Sequence, residues 1–485
     1  MIEYTGEWWF PATPNLRIKG TLTIKDFYSV LRFSMIEVLK KDYYYYFRSL
    51  GENLYKVDII LGESQGREIT LLRCKGHKTG IGIGIEVGQS ESTINVPIYY
   101  PSTVFIGTHF AKLKDIHFKR LEIVYSHLID WINIFNLSTK TSGNLDNIVV
   151  EYKKPESVKI YQDKRTYISI AFQPFESMSL HEIKVGHEIA IKIEHLSKEI
   201  LFEEDLPIIN YIRAFLTFGV NFPIYPLHIK GITKRKKVVL KEFDKLYYPD
   251  IDVFTQNMLT NIKEEDQILP MMMLYSFKDI APKIEIVINK WFEIMKSSLK
   301  TAYDLYLGTL YNPSPYIRHN FLNLIQAFEA FYGSSFPQKE QIILPKDIYE
   351  ENVYKKFMKK FDSDVLSKLK LKNIDSKRIK DLRGNLDDKL KTGNEFSLKK
   401  KIVQVMESPE YGKLVSLVAK SKKEQKRLAY KIAKFRNDLS HGKEVNSEEL
   451  IIIKDKLDLL IKIILLKALN FEDKEIMNFL KLQHA

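Results

Sequence analysis

The sequence predicts an α+β multidomain protein with an antiparallel, β-rich N-terminal half and a helical C-terminal half. Two observations support this. The chain has 485 residues, enough for roughly three domains. The spacing of its apolar residues changes from alternation to a helical period near residue 206. We therefore expect a sandwich-like domain at 1–245, a helical linker region at 246–300 and an all-α helical bundle at 301–485.

The strands of the first half are predicted by short alternating runs. Around residues 16–24 and 168–172, apolar side chains alternate with polar ones, so one face of each segment is expected to be buried. Turn-forming stretches at 142–144 and 153–155 separate such runs. This pattern favours antiparallel pairing over the alternating units of parallel folds.

The helices of the second half are predicted by apolar stripes and end signals. The first begins near residue 206 and stops at an Asn-Phe-Pro turn. Another begins at Ile317 and is expected to end at Gly333, because glycine is common just after a helix. Asn446, with Glu449 three residues later, forms a capping pair before a nearly all-apolar helix that continues to about residue 469. We expect that helix inside a bundle or at a subunit interface.

The charge of the chain is unevenly distributed. There are 74 basic and 61 acidic residues, a formal net charge of +13. The basic segment, residues 354–401, contains 16 Lys and Arg against 7 Asp and Glu, and so holds +9 of that total. A Lys-rich helical surface is often only solvated, but it can also hold a nucleic acid backbone. Both interpretations stay open at this point.

Cysteine usage and the start of the chain indicate a reducing compartment. Cys74 is the sole cysteine, so neither an intramolecular disulfide nor a thiolate zinc cluster can form. The first residues lack the features of a signal peptide, and the longest uncharged run, 92–111, is interrupted by Pro97 and Pro101. We expect a cytoplasmic protein without a membrane segment.

Other motifs argue against metal and cofactor chemistry. His181, His187 and His195 lack the H-E-x-x-H spacing of a zinc site and are expected at the surface of strands. The G-x-G-x-G run at 80–84 has the wrong spacing for a dinucleotide fingerprint. The aromatic run at 43–47 could stack nucleobases, although a buried aromatic element is the default interpretation. No metal and no cofactor are predicted.

Arg436 and His441 are the remaining candidate. At about 100° per residue, Arg436 lies at the flank of the buried stripe of its helix, and His441 lies well away from it. Neither side chain is needed for the core. The helix dipole alone favours such residues near a C-terminus, so the spacing by itself leaves structural and catalytic roles open. The stripe consists of Leu428, Ile432, Phe435 and Leu439.

Residues 301–485 resemble a HEPN domain. The likeness rests on an early helix that contains Gln-Ala-Phe-Glu-Ala-Phe at 326–331, and on a later helix that ends in an R-x4-H motif. That motif runs from Arg436 to His441 and has polar Asn437 after the arginine. The resemblance implies a metal-independent ribonuclease that dimerises so that two R-x4-H motifs face each other.

The start of the chain resembles the N-terminal domain of ApeA-type anti-phage HEPN proteins. The likeness rests on Gly-Glu-Trp-Trp-Phe-Pro at 6–11, followed by the strand at 16–24. It implies a role in abortive infection through cleavage of tRNA anticodon loops, with an N-terminal domain that senses a phage-derived trigger or restrains the nuclease. Trp8 and Trp9 could bind a trigger if they are exposed, but packing in the core is the preferred interpretation.

The residue types of the motif suit RNA cleavage. RNA carries its own nucleophile, the ribose 2′-OH, so the enzyme needs a proton-transfer group and a cation. The resemblance implies His441 for proton transfer, Arg436 for the scissile phosphate and Asn437 for orientation, with a 2′,3′-cyclic phosphate and a 5′-hydroxyl as products. One motif histidine per chain suits acid and base work poorly, so we expect a homodimer or higher homo-oligomer with a composite site.

Further residues are expected to assist the motif. Glu329 either pairs with Arg436 or braces the bundle, and bracing is favoured. Asp438 is expected to support the motif, and the basic segment to hold RNA, with tRNA as the expected partner. The expected RNA-binding lysines beside the motif are Lys431, Lys434 and Lys443.

Two alternatives stay open. The protein could be a sensing or RNA-binding protein whose HEPN domain does not cleave. It could also be a toxin held inactive by a separate antitoxin, in which case the intact chain would not be expressible alone.

Overall fold

The computed structural model describes residues 1–34, 55–77, 82–87, 90–95, 98–134, 136–141, 148–181, 183–233, 238–240, 245–247, 250–259, 267–312, 316–371 and 374–482. The chain divides into two compact units, Met1–Asn289 and Lys290–Ala485. The aromatic run at 43–47 lies outside the described residues.

The described part of the N-terminal unit is built mainly from strands. Its helices are α1 (Leu128–Ile132), α2 (Phe202–Val220) and α3 (Phe277–Ile280), and the division between the units falls within α4 (Ile284–Met295). Its strands are β1 (Ile2–Trp9), β2 (Ile18–Lys25), β3 (Tyr28–Phe33), β4 (Lys56–Ser64), β5 (Arg67–His77), β6 (Gly82–Val87), β7 (Ser90–Asn95), β8 (Ile98–Tyr100), β9 (Thr103–Ile106), β10 (His117–Phe118), β11 (Arg120–Tyr125), β12 (Leu137–Thr141), β13 (Ile148–Tyr152), β14 (Val158–Gln162), β15 (Thr166–Met178), β16 (Ile183–His195), β17 (Ile200–Leu201), β18 (Pro226–Ile232), β19 (Val238–Leu240), β20 (Lys245–Tyr247) and β21 (Ile251–Thr255).

Most of these strands form one hydrogen-bonded sheet of thirteen strands. Their order is β14-β15-β16-β11-β18-β21-β9-β5-β4-β1-β2-β3-β8, and β5 also pairs with β8, so the last part of the sheet closes on itself. The pairings within it are antiparallel, as the alternating sequence pattern predicted. Four two-stranded ladders accompany it: β10-β17, β12-β13, β19-β20 and β6-β7.

Trp8 and Trp9 belong to the core of this sheet. They are 0% and 5% exposed, which confirms the packing role expected for them. The Trp8 indole Nε1 donates a hydrogen bond of 3.0 Å to the Gly20 carbonyl. A Cβ atom at Gly62 of β4 would lie 2.1 Å from Cε3 of the Trp8 ring, so only glycine lets this strand pass so close to the indole.

Residues 251–255 form a strand within the range expected to be a helical linker. This strand, β21, lies between β18 and β9 in the sheet. Ile251 and Val253 are fully buried, and Asp252 between them accepts a 3.0 Å hydrogen bond from Nε2 of His228 on β18. A five-residue segment contains too few alternations to distinguish a strand from a turn of helix. The structure of β21 is therefore decided by its neighbours in the sheet.

His195 corrects the prediction of a surface histidine. It lies at the end of β16 and is fully buried, as is Asp205 of α2. The His195 Nε2 atom is 3.0 Å and 3.2 Å from the two carboxylate oxygens of Asp205. Burial raises the pKa of Asp205, and the contact with His195 acts in the opposite direction. This buried contact connects the end of β16 to the start of α2.

The described part of the C-terminal unit is helical. Two π-helical turns, Glu350–Tyr354 and Phe361–Val365, join three short α-helices between residues 346 and 371 into one continuous helical path. The helices that follow α4 are α5 (Lys300–Tyr311), α6 (Ile317–Ser335), α7 (Lys346–Tyr349), α8 (Lys355–Lys360), α9 (Leu366–Leu371), α10 (Ser376–Thr392), α11 (Leu398–Glu407), α12 (Lys422–Ser440), α13 (Ser447–Ala468) and α14 (Asp473–Leu482).

Two predicted helix boundaries differ in outcome. Helix α6 continues through Gly333 to Ser335 and ends before Phe336, the residue that precedes Pro337. The predicted end at Gly333 was therefore wrong, because a glycine is tolerated inside a helix at a cost of about 1 kcal/mol. The N-terminal cap of α13 is confirmed: the side chain of Asn446 accepts a hydrogen bond of 2.8 Å from the backbone N–H of Glu449.

The long apolar helix α13 lies in the core of the C-terminal unit. Its residues from Leu460 to Leu466 are buried, and Tyr303 of α5 donates a hydrogen bond of 2.7 Å to the carbonyl of Leu465. Ile451 and Ile452, at its start, are 46% and 57% exposed. Packing within the unit therefore accounts for most of the apolar character of this helix. In the described ranges, no helix combines the length and the apolarity needed to cross a bilayer.

Candidate active site

The R-x4-H motif lies at the C-terminal end of α12. Ser421 caps the start of the helix by accepting a hydrogen bond of 3.2 Å from the Glu424 N–H. The helix is anchored on its buried side, where the Phe435 ring meets the Phe321 ring of α6 edge to face at 6.4 Å. The helix ends at Ser440, and Gly442 adopts a φ of +70°, a conformation that glycine takes without strain.

The motif side chains share one exposed arc of the helix end. At about 100° per residue, Arg436 and His441 lie about 140° apart with Asn437 between them, so Arg436 is at the flank of the buried stripe and His441 is on the opposite side. All three residues are exposed. The Arg436 guanidinium donates a hydrogen bond of 3.3 Å from Nη1 to Oδ1 of Asn437. A guanidinium, an amide and an imidazole are therefore open to solvent at the end of the helix.

His441 occupies the position that caps the helix. Its backbone N–H lies 3.1 Å and 3.2 Å from the carbonyl oxygens of Asn437 and Asp438, so its main chain is still attached to the last helical turn. Its side chain is exposed. The imidazole therefore extends from a fixed backbone position at the helix end.

Asp438 supports the turn that follows the motif. Its carbonyl accepts a hydrogen bond of 2.8 Å from the Lys443 N–H, and its carboxylate lies 3.4 Å from the Lys443 ammonium. Asp438 thereby ties the residues after His441 back onto the helix. Lys443 remains mostly exposed, with a side-chain exposure of 67%.

The lysines on α12 differ in what they contact. The Lys431 ammonium donates a hydrogen bond to the Glu449 carboxylate of α13, so this charge connects two helices. That hydrogen bond holds the pKa of Glu449 below its usual range, with further help from Lys434 and Arg427. Lys434 is exposed and makes no ion pair with any described residue. Of the two, Lys434 offers the more available ammonium.

Glu329 lies on α6, the helix that holds Phe321. It is half-buried and makes no ion pair with Arg436 among the described residues. It follows Phe321 by about 12 Å along the helix axis. Arg436 instead hydrogen-bonds Asn437.

Several charges of the basic segment pair with one another. Arg383 makes a bidentate contact with Asp362, with both N–O distances at 2.8 Å, and this lowers the pKa of Asp362. Lys391 donates a hydrogen bond of 2.8 Å to Asp387. Lys359 and Lys380 are exposed and make no ion pair within the part of the chain that the structure describes. The segment therefore offers less free positive charge than its composition indicates.

Two family models match this chain. Residues 322–475 match the family model Apea-like HEPN, a family that is generally ribonuclease-related and whose domains commonly dimerise and bind RNA. Residues 3–291, more than half of the chain, match ApeA N-terminal domain 1. The chain belongs to the ApeA family of HEPN-type anti-phage defence proteins. Neither a curated protein nor a solved structure matches it.

These matches confirm the resemblance found in the sequence and the predicted fold class, a β-rich N-terminal region followed by a helical HEPN region. The first match extends to residue 291, close to the division at Asn289, and includes most of the range expected as a linker.

No three His, Cys, Asp or Glu side chains of the described ranges group as metal ligands.

Proposed function

We propose that this protein is a metal-independent endoribonuclease of abortive-infection defence, which cleaves RNA at tRNA anticodon loops. The observation that supports this best is the exposed arc of Arg436, Asn437 and His441 on a helix whose opposite face is anchored in the core. Two of these groups match what transesterification of RNA requires, a proton-transfer group and a phosphate ligand.

The reaction uses the nucleophile that RNA itself supplies. The 2′-oxygen attacks the adjacent phosphorus while the bond from phosphorus to the 5′-oxygen breaks. His441 accepts the 2′-OH proton or donates a proton to the leaving 5′-oxygen, and the Arg436 guanidinium holds two phosphate oxygens. The Asn437 amide, which already touches Arg436, orients the guanidinium or the phosphate. The products are a 2′,3′-cyclic phosphate and a 5′-hydroxyl.

The complete site is a composite of two subunits. A single imidazole cannot hold and lack a proton in the same step, so the base and the acid come from two facing motifs across a two-fold axis. The exposed pair Ile451 and Ile452, at the start of α13, supplies apolar surface for such an interface.

Charges around the motif hold the RNA. Lys434 and Lys443 contact phosphates beside the scissile bond, Lys431 contributes through its positive field, and the exposed lysines of the basic segment extend the track. The N-terminal unit restrains the nuclease until a phage-derived trigger binds, because unrestrained cleavage of host tRNA would kill the cell.

The first experiment is cleavage of total tRNA by the purified full chain in EDTA. We expect wild type to leave cyclic-phosphate ends, and the Arg436→Ala and His441→Ala variants to leave tRNA intact. His319→Ala is the matched control, because His319 is an exposed histidine of the same unit outside the motif. Absence of cleavage, even with lysate from infected cells, would favour a non-catalytic RNA-binding protein, and equal cleavage by His441→Ala would place the activity elsewhere.

The composite site predicts a characteristic mixing result. When wild type is co-expressed with an equal amount of His441→Ala, random pairing leaves about a quarter of the dimers with two intact motifs. We expect about a quarter of the activity that the same total amount of wild-type protein shows. Retention of half of the activity would mean that each subunit acts alone. Free expression of Arg436→Ala, together with failure to express the intact chain, would indicate a toxin that needs an antitoxin.

A further inference from the structure

An exposed tyrosine lies in line with the R-x4-H motif on α12. Tyr430 is 54% exposed, although aromatic side chains of this size are mostly buried in folded proteins. It precedes Asn437 by seven residues, which places the two within about 20° of each other around the helix and about 10 Å apart along its axis. The tyrosine and the motif therefore share one exposed surface.

The surroundings of Tyr430 are basic. The Lys399 ammonium, from the basic segment, lies 5.7 Å from the centroid of the Tyr430 ring, at cation–π distance. Lys426 and Lys434 lie one turn before and one turn after Tyr430 on the same side of the helix, and Arg427 lies beside it. These three side chains are exposed and make no ion pair with any described residue.

A half-exposed aromatic ring among exposed cations is complementary to single-stranded nucleic acid. The ring offers a π-face to a base, and the ammonium and guanidinium groups offer contacts to the phosphates on either side. An apolar peptide would leave these charges without partners. The charge of the surface therefore favours RNA as its occupant.

We propose that Tyr430 is a stacking platform for one unpaired nucleobase of the RNA substrate, next to the nucleotide held by Arg436 and His441. This inference rests on the proposed function, since it takes RNA as the ligand of the same surface. Because the ring can stack only on a base that is not paired within a helix, Tyr430 selects loops over duplexes. Lys399 contacts the Tyr430 ring and so places part of the basic segment beside the bound RNA.

The test measures RNA binding in the cleavage-inactive His441→Ala background. The probes are a fluorescently labelled single-stranded oligoribonucleotide and the same strand annealed to its complement. We expect Tyr430→Ala to weaken binding of the single strand by about 5- to 140-fold, the equivalent of about 1–3 kcal/mol for one stacked base. Tyr430→Phe and Tyr430→Trp should retain binding, and the salt dependence should stay unchanged because no phosphate contact is lost.

Tyr28 provides a matched control in the N-terminal unit. It is 41% exposed and has the Lys25 ammonium 6.0 Å from its ring centroid, so it repeats the local chemistry without the motif. Tyr28→Ala should bind RNA as the parent does. In the Tyr430→Trp variant, addition of the single strand should quench the new indole fluorescence, and the Tyr28→Trp variant should show no such change.

The outcomes separate this inference from the proposed nuclease. Binding of the single strand by Tyr430→Ala at the parent affinity would overturn the platform, whether or not the wild type cleaves tRNA. A change in subunit association by Tyr430→Ala without RNA would also overturn it, since the ring would then belong to a subunit contact. Tyr430-dependent binding by a wild type that does not cleave would keep the platform and reject the nuclease.

Discussion

The contact between Phe321 and Phe435 predicts how strongly the motif helix depends on α6. The two rings are 0% and 6% exposed and meet edge to face. Truncation of a buried phenylalanine to alanine costs about 3–5 kcal/mol, through lost burial and the cavity left behind. We expect each single variant to destabilise the C-terminal unit by about that amount. The double variant should lose less than the sum of the two, by about 0.5–1.5 kcal/mol for the ring pair.

Hydrogen exchange at the backbone amides of α12, read in the full chain, is the suitable assay. A protein of two units has no single free energy of unfolding, whereas the protection of one helix is local. Phe321→Leu fills part of the cavity and should restore much of the protection and of the tRNA cleavage lost in Phe321→Ala. Phe357→Ala is the control, because Phe357 is 48% exposed and its loss should cost no more than about 0.5 kcal/mol. Wild-type protection of α12 in Phe321→Ala would refute the proposed anchoring.

Three further variants test the charges described above. Lys434→Ala should weaken binding of RNAs of any sequence and reduce the slope of log affinity against log salt concentration by about 1. An unchanged slope in a salt titration would mean that Lys434 does not contact the RNA backbone. The pKa of Glu449 is lowered by Lys431, so this pair stabilises the fold above about pH 4.3 and loses its effect as the pH falls further. Glu449→Gln should therefore reduce the loss of stability on acidification, followed by denaturation at a series of pH values. An unchanged loss of stability below about pH 4.3 would contradict the pairing. Asp205→Ala should cost about 1–3 kcal/mol because it leaves the buried His195 ring without its hydrogen-bond partner, and wild-type hydrogen-exchange protection at the start of α2 would show that the pair is replaceable.

The sequence was sufficient where a pattern is local and long. The helix α13 has an N-terminal cap and many turns of apolar residues, and its bounds were predicted to within a few residues at each end. Helix α2 likewise ends at Asn221, which adopts a φ of +57°. Signals of this kind lie within one element, so they can be read without the rest of the fold.

The sequence was insufficient where tertiary contacts decide. Nothing local distinguishes His195 from an exposed strand histidine, because the residue that accompanies it into the core, Asp205, belongs to the next helix. The same holds for the basic segment, where the pairing of Arg383 with Asp362 joins residues on different helices. The positions of the motif side chains followed from helix geometry, whereas their catalytic roles remain predictions.

The place of β21 in the sheet has a consequence for biosynthesis. This strand joins β18 to β9, so the hydrogen-bonded sheet cannot be continuous before residue 255 has been translated. The codons for the R-x4-H motif are translated later, after roughly 10–40 s at a synthesis rate of about 5–20 residues per second. The sheet thus has time to form before Arg436 is synthesised. Synonymous codons that slow translation between these points would lengthen that interval, and a stalled or truncated chain would carry no nuclease motif at all.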